Sequence, residues 1–256
     1  MGFVRTHLSL MLCLAVCFTA GVSFAQESIE VVAAEGSITA GETLGKNAQS
    51  VQTKSILPSG NVLSTGPSAR AVVRVGDGGY IVIGKNSQVE INKTKNDVGF
   101  FRHISGIVYY AFNSIKGNQR RIEVRTSTAT IGIRGTRFLV TDIPERNEIG
   151  MRKGQVNVAS PDGEFELHKR AEQDEFEAFK HEAEDAIAAN KREFEEYKAN
   201  TQQEFVEYKR EFSLDANRMA SFDGKRVLER PLSEETKKDM ESFESYADKW
   251  VKEVRD

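Results

Sequence analysis

Apolar and polar residues alternate with period two in a series of short runs separated by turn residues. Val72-Val73-Arg74-Val75 leads into Gly76-Asp77-Gly78-Gly79, and Tyr80-Ile81-Val82-Ile83 leads into Gly84-Lys85-Asn86-Ser87 and then Val89-Glu90-Ile91. Ile107-Val108-Tyr109-Tyr110, Ile122-Glu123-Val124, Val156-Asn157-Val158 and Phe165-Glu166-Leu167 continue the series, with Pro161-Asp162-Gly163 composed as a tight turn. Successive side chains of a strand point to opposite faces, so these runs predict half-buried strands. Many short strands with frequent glycine turns predict an all-β sandwich, roll or solenoid.

The stretch TATIGIRGTRFLV, residues 128–140, breaks the alternation in a particular way. Its apolar residues fall on odd positions before the glycine (Ala129, Ile131, Ile133) and on even ones after it (Phe138, Val140). A change of parity needs an extra residue or a break, which predicts a bulge or corner at Arg134-Gly135-Thr136, with Thr136 placed to hydrogen-bond locally. The competing reading is a ligand loop, in which Arg134 and Arg137 receive a small anion beside exposed amides.

A second pattern starts near residue 169. From there to Phe212 there is neither proline nor glycine. Phe176, Phe179, Ala183, Ile187, Phe194, Tyr197, Phe205, Tyr208 and Phe212 step mostly by threes and fours, the spacing of one helical face. The repeat Phe-x-x-Phe/Tyr-Lys begins at Phe176, Phe194 and Phe205, intervals of five and about three turns at 3.6 residues per turn. This predicts a long helix over about 169–215. Its aromatic stripe (Phe176, Phe179, Phe194, Tyr197, Phe205, Tyr208, Phe212) must find a surface: the β domain, a second copy of the chain, or a partner. Asp223-Gly224 and Pro231 then interrupt, and Ser233-Glu234-Glu235 begins a shorter helix over about 233–254. Met240, Phe243, Ala247, Trp250, Val251 and Val254 line one side of it, with Trp250 as a packing anchor. The whole reads as an all-β domain over 26–168 followed by a long α-helical hairpin or coiled-coil-like acidic tail over 169–256.

Charge supports the division: the net formal charge is +3 over residues 26–167 and −7 over 168–256, within a total of −3. Neither half suggests a nucleic-acid partner. At the N-terminus, Arg5, an apolar run from Leu8 to about Phe18 and Ser23-Phe24-Ala25 have the layout of a signal peptide over 1–25. The run is shorter than the roughly 20 residues of a membrane span. Both cysteines, Cys13 and Cys17, lie inside this segment, so a processed chain has no thiol chemistry. The expectation is an exported protein, periplasmic if bacterial, with no membrane span after cleavage.

Patterns that carry chemistry are scarce. His103, His168 and His181 have no metal-ligand spacing and read as surface residues. No nucleophile elbow or phosphate loop occurs, so no enzyme, cofactor or metal is expected.

TSTATIGIRGTRFLV resembles the hallmark segment of the FecR-type domain, a Thr-rich strand leading into Arg-Gly-Thr-x-Phe. Asp77-Gly78 with Ile81-Val82-Ile83-Gly84, Ser105-Gly106-Ile107-Val108 and Lys153-Gly154-Gln155-Val156-Asn157-Val158 resemble other strands of that family. The resemblance spans about residues 30–167. It implies an all-β extracytoplasmic domain that works through protein contacts without a known catalytic role, with Arg134, Gly135, Thr136 and Phe138 as its motif. The founding members resemble inner-membrane regulators with a cytoplasmic part that controls a sigma factor. Here a signal peptide stands in that position. The expected function is an exported, non-catalytic scaffold of the cell envelope, with the tail binding an envelope protein or self-associating. The rival is an extracytoplasmic sensing module that binds a small anion or glycan through the β domain.

Overall fold

The computed structural model describes residues 29–42, 47–76, 79–93, 99–113, 122–169 and 205–251. The chain forms β1 (Ile29–Glu35), β2 (Ile38–Gly41), β3 (Gln49–Ser50), β4 (Asn61–Thr65), β5 (Arg70–Val75), β6 (Gly79–Ile83), β7 (Gln88–Lys93), β8 (Gly99–Phe112) and β9 (Ile122–Arg125). Then come β10 (Thr130–Ile133), β11 (Arg137–Ile143), β12 (Arg146–Lys153), β13 (Gln155–Ala159), β14 (Phe165–Lys169), β15 (Phe205–Lys209), β16 (Glu211–Asp215), β17 (Arg218–Asp223), β18 (Arg226–Pro231) and, as the one helix among the described residues, α1 (Glu234–Ala247).

These strands make a two-layered sandwich. Sheet A runs β1-β5-β6-β8-β11-β12-β17-β18-β14-β15, antiparallel except for β14 with β18. Sheet B runs β3-β2-β4-β7-β8-β9-β10-β13-β16, antiparallel except for β8 with β9. Strand β8 belongs to both layers. Its residues up to Ser105 pair with β7, and Gly106 onward pairs with β11. The core lies between the layers, where Phe101 of sheet B approaches Tyr110 and Phe112 of sheet A at 6.0 Å each. Tyr110 stacks on Phe138 at 5.0 Å, and Phe165 meets Phe212 at 5.7 Å.

The C-terminal part departs from the sequence expectation. Among the described residues of this part, 205–231 form strands followed by one short helix, in place of the expected helical hairpin or coiled-coil-like tail. The Phe205, Tyr208 and Phe212 steps fit a helix, but Phe212 and Leu214 alternate with exposed Glu211, Ser213 and Asp215. The turn after them is made by Asn217 at φ 62°, a left-handed conformation that asparagine tolerates. Strand pairing with β13 and β14 then outweighs local helical spacing. Phe176, Phe179, Phe194 and Tyr197 lie outside the described residues, as does the signal-peptide segment.

The second core lies on the outer face of sheet A, beneath α1. Ser233 caps this helix, its hydroxyl accepting from the Thr236 amide at 3.2 Å. Met240, Phe243, Tyr246 and Ala247 pack on Val72, Val82, Tyr109 and Leu139. This second apolar layer is why all five residues of β6 are buried. Burying Met240 and Phe243 contributes about 1.5–3 kcal/mol each. Trp250 falls beyond the last turn and is 43 % exposed, so it is not the packing anchor expected; Val251 is buried instead. Ion pairs rim the contact. Arg146 donates to Glu235 at 2.5 Å and to Asp239 at 3.4 Å, Tyr109 donates to Glu244 at 2.5 Å, and the Arg70 guanidinium lies 5.2 Å from the Phe243 ring centre.

Gly150 of β12 makes this approach possible. A Cβ there would stand 2.8 Å from Thr236, 2.9 Å from Leu232 and 3.0 Å from Met240. Gly150→Val should therefore lift α1 and cost about 1–3 kcal/mol, the usual penalty of overpacking. Urea denaturation would measure the loss. Hydrogen exchange should show amide protection falling over 234–247 while β4 and β7 keep theirs.

Candidate functional site

The chain passes between layers at corners, and glycines occupy the tight ones. Gly106 (φ 95°) divides β8: Phe101 and His103 face the core before it, Val108 and Tyr110 after it. A Cβ at Gly106 would fall 2.2–2.5 Å from Ser87, which no L side chain can meet. Gly135 (φ 70°) separates β10 of sheet B from β11 of sheet A. Gly154 (φ 81°) separates β12 from β13, and its Cβ would lie 2.9 Å from the Gly135 carbonyl oxygen. Because Asp142 of β11 pairs with Gly106 and Arg137 pairs with Lys153, the Gly106 corner and the Gly135–Gly154 pair stand at opposite ends of the sandwich.

The motif residues take separate places around this corner. Phe138 is fully buried against Tyr110. Thr136 is 1 % exposed, and its hydroxyl has no hydrogen-bond partner among the described residues, so it does not tie the corner. Its backbone does, the Phe112 amide donating to the Thr136 carbonyl at 2.9 Å. Arg134 is exposed on the corner. Arg137 begins β11, half-buried, and its charge acts on Tyr109 at the helix-covered face. The two arginines thus have different neighbours. Burial and the adjacent Glu244 carboxylate hold the Tyr109 phenol well above its ordinary range.

The rest of the aromatic stripe divides too. Phe212 is 5 % exposed and belongs to the core, whereas Tyr208 on the edge strand β15 is 68 % exposed. Phe205 opens β15, opposite Lys169 of β14.

Two histidines correct the surface reading. His103 is 1 % and His168 5 % exposed. The His103 ring lies 3.3 Å from the Tyr110 hydroxyl and 3.2 Å from the Gly106 carbonyl, in the angle of β8. Burial lowers its pKa to about 4. The shared odd parity of Phe101 and His103 was the signal that could have placed it inside. His168 sits 2.8 Å from Glu166, and His181 lies outside the described residues. No cluster of His, Cys, Asp and Glu suited to a metal occurs among the described residues.

The outer faces of the two sheets differ. The middle of sheet A, over β5, β6, β8, β11 and β17, is covered by α1, while Val206 and Tyr208 of its edge strand β15 are exposed. Sheet B presents Glu90, Arg102, Glu123, Arg125, Asn157 and Glu211 on its outer face, from the strand positions that alternate with the core. They are held in pairs: Arg102 to Glu90 at 2.6 Å, Arg125 to Glu123 at 3.0 Å, and the Asn157 amide donating to Glu211 at 3.0 Å. The Arg125 guanidinium lies over Phe100, 4.4 Å from the ring centre.

Residues 61–157, which include the Arg-Gly-Thr-x-Phe corner, match the family described as FecR protein. Two solved structures of a protein from Parabacteroides distasonis ATCC 8503, provisionally described as an anti-sigma factor, at 1.65 and 2.50 Å resolution, each align at 13% identity with a TM-score of 0.43. Each alignment covers 67% of this chain and 60% of that one, so this chain spans about three-fifths of that protein's length. No curated protein matches.

Two measurements follow from the corners. Thr136→Val removes an unpaired buried hydroxyl while keeping the methyl that packs on Gly154. Thermal melts should show stability unchanged or higher by about 1 kcal/mol. His103 stays neutral in the fold down to about pH 4, whereas in the unfolded chain it takes a proton near the ordinary histidine value of 6.5. The unfolded state therefore binds more protons as pH falls through that window, and stability drops by about 3 kcal/mol from this group. Urea midpoints for the native chain and His103→Gln, taken from pH 7 to 4, should show the variant with the shallower slope.

Proposed function

We propose that this protein is an exported, non-catalytic recognition module of the cell envelope, periplasmic in a bacterium, that meets its partner through the open face of sheet B. The observation that supports this is the unequal treatment of the two sheets. The middle of one outer face is sealed by a capped helix with polar contacts around its rim. The other carries paired polar groups and is left uncovered among the described residues. The FecR-type domain and the N-terminal Arg5-to-Ala25 pattern favour an envelope setting. The reading also accounts for the scarcity of chemistry-bearing motifs in the sequence. A sensing role through Arg134 and Arg137 as a joint anion site is less favoured, since Arg137 acts on Tyr109 beneath α1.

The only cysteines are Cys13 and Cys17, so a single reporter thiol can be placed in the processed chain. Ser213→Cys on the open face, beside Asn157 in register, and Lys238→Cys on the exposed side of α1 are treated with a membrane-permeant maleimide, in intact cells and as purified protein. The first should label at least fivefold more slowly in cells, and the second equally in both. Equal labelling of Ser213→Cys in cells and in solution would overturn the reading.

A further inference from the structure

Resting on that reading, we infer that the open face of sheet B binds an uncharged polysaccharide strand, laid over Gly132. Gly132 lies in the middle of β10, flanked in register by Glu123 of β9 and Asn157 of β13. Ile131 and Ile133 face the core, so position 132 faces outward. Its backbone is ordinary strand, with no positive φ. A Cβ there would meet a single neighbour, the Asn157 carbonyl oxygen, at 3.8 Å, which is ordinary contact. Neither space nor backbone conformation calls for glycine at this position. Glycine weakens a strand interior, because it loses more entropy on folding and offers no side chain to pack. What it provides is a furrow where another chain can approach the sheet closely.

The groups beside the furrow favour a glycan as the occupant. β9, β10 and β13 are each paired on both sides, so their backbone amides and carbonyls are used within the sheet. A peptide is recognised by a sheet at its edge, where backbone groups are free, and finds none here. Side chains must do the binding. Planar carboxylate, amide and guanidinium groups held in pairs at 2.6–3.0 Å offer donors and acceptors side by side, the arrangement that neighbouring sugar hydroxyls match. Glu90, Glu123 and Glu211 outnumber Arg102 and Arg125, which disfavours a polyanion such as a phosphate polymer. Phe100, half-buried beneath Arg125, adds one apolar contact without making the face apolar.

The test uses the full mature chain with protein-free peptidoglycan sacculi and soluble chitohexaose as probes, and heparin as the anionic contrast. Co-sedimentation with sacculi and titration with chitohexaose should both show binding. Gly132→Val, which fills the furrow with a residue suited to strands, should weaken it at least tenfold, with a melting temperature equal to or above that of the native chain. The Ser213→Cys reporter should lose its protection in cells when combined with Gly132→Val. Failure to bind either glycan, stronger binding to heparin, or equal binding by Gly132→Val would overturn the inference. Protection of Ser213→Cys that survives digestion of the glycan and is removed by protease would also overturn it, while leaving the recognition face intact. An unprotected Ser213→Cys in cells would remove the face itself.

Discussion

A strand that passes from one layer of a sandwich to the other must change which of its faces meets the core, and the rest of this structure depends on how that change is made. In β8 the core positions are Phe101 and His103 on one side of Gly106 and Val108, Tyr110 and Phe112 on the other. The parity reverses again between Ile133 and Phe138, and between Met151 and Val156. At each crossing a glycine with positive φ supplies the reversal: Gly106, Gly135 and Gly154. Once these three are set, one row of aromatic side chains can join the layers, with Tyr110 touching Phe101 across the core and Phe138 along its own sheet. The FecR-type motif is therefore a description of how the sandwich is turned, since its glycine makes the corner and its phenylalanine is the first core residue afterwards.

This explains what could be read from the sequence and what could not. The strands around Val89, Val124, Val156 and Leu167 alternate because one face of each meets the core, and those around Val72, Ile81 and Val108 read as short apolar runs because α1 buries their second face as well. The buried face of α1 was legible for the same reason: Met240, Phe243 and Ala247 repeat with helical spacing after a serine cap. Strands β15 and β16 were not. They lie at the edges of their sheets: Val206 and Tyr208 of β15 are exposed, and only Phe212 and Leu214 of β16 are buried, between exposed Glu211, Ser213 and Asp215. A short edge strand carries only two or three buried side chains, too few to separate period two from period 3.6 when phenylalanines happen to fall three and four apart. The repeat linking Phe176, Phe194 and Phe205 strengthened the wrong period, since its third copy belongs to a strand.

The candidate site was legible only in part, for a related reason. Gly135 announces itself by a change of parity, but Gly132 causes none. It occupies an outward position in an alternating run, where any small or polar residue fits the pattern equally well. Only the space around it, empty except for one carbonyl oxygen at 3.8 Å, separates it from the glycines that shape the fold. His103 shows the converse. Its polarity suggested the surface, while its parity with Phe101 put it in the core, where the Gly106 carbonyl and the Tyr110 hydroxyl satisfy the ring.

The helix completes the argument about function. A free sheet face of this size would ordinarily be either polar or covered, and this chain uses both solutions, one on each side. Covering sheet A required Gly150 on β12, a cap at Ser233, and acidic residues along α1 that reach Arg146 and Arg152 at opposite ends of the contact. Those features fix the covered face to the chain's own helix. Sheet B has no equivalent element among the described residues, and its outward side chains are held by one another. Arg102 and Arg125 stay exposed in these pairs, and exposed pairs are worth only about 0–1 kcal/mol, so a ligand that matched the same groups could exchange for them at little cost. A face of such groups, crossed by a strand with a gap at Gly132, is suited to being read by a polar ligand.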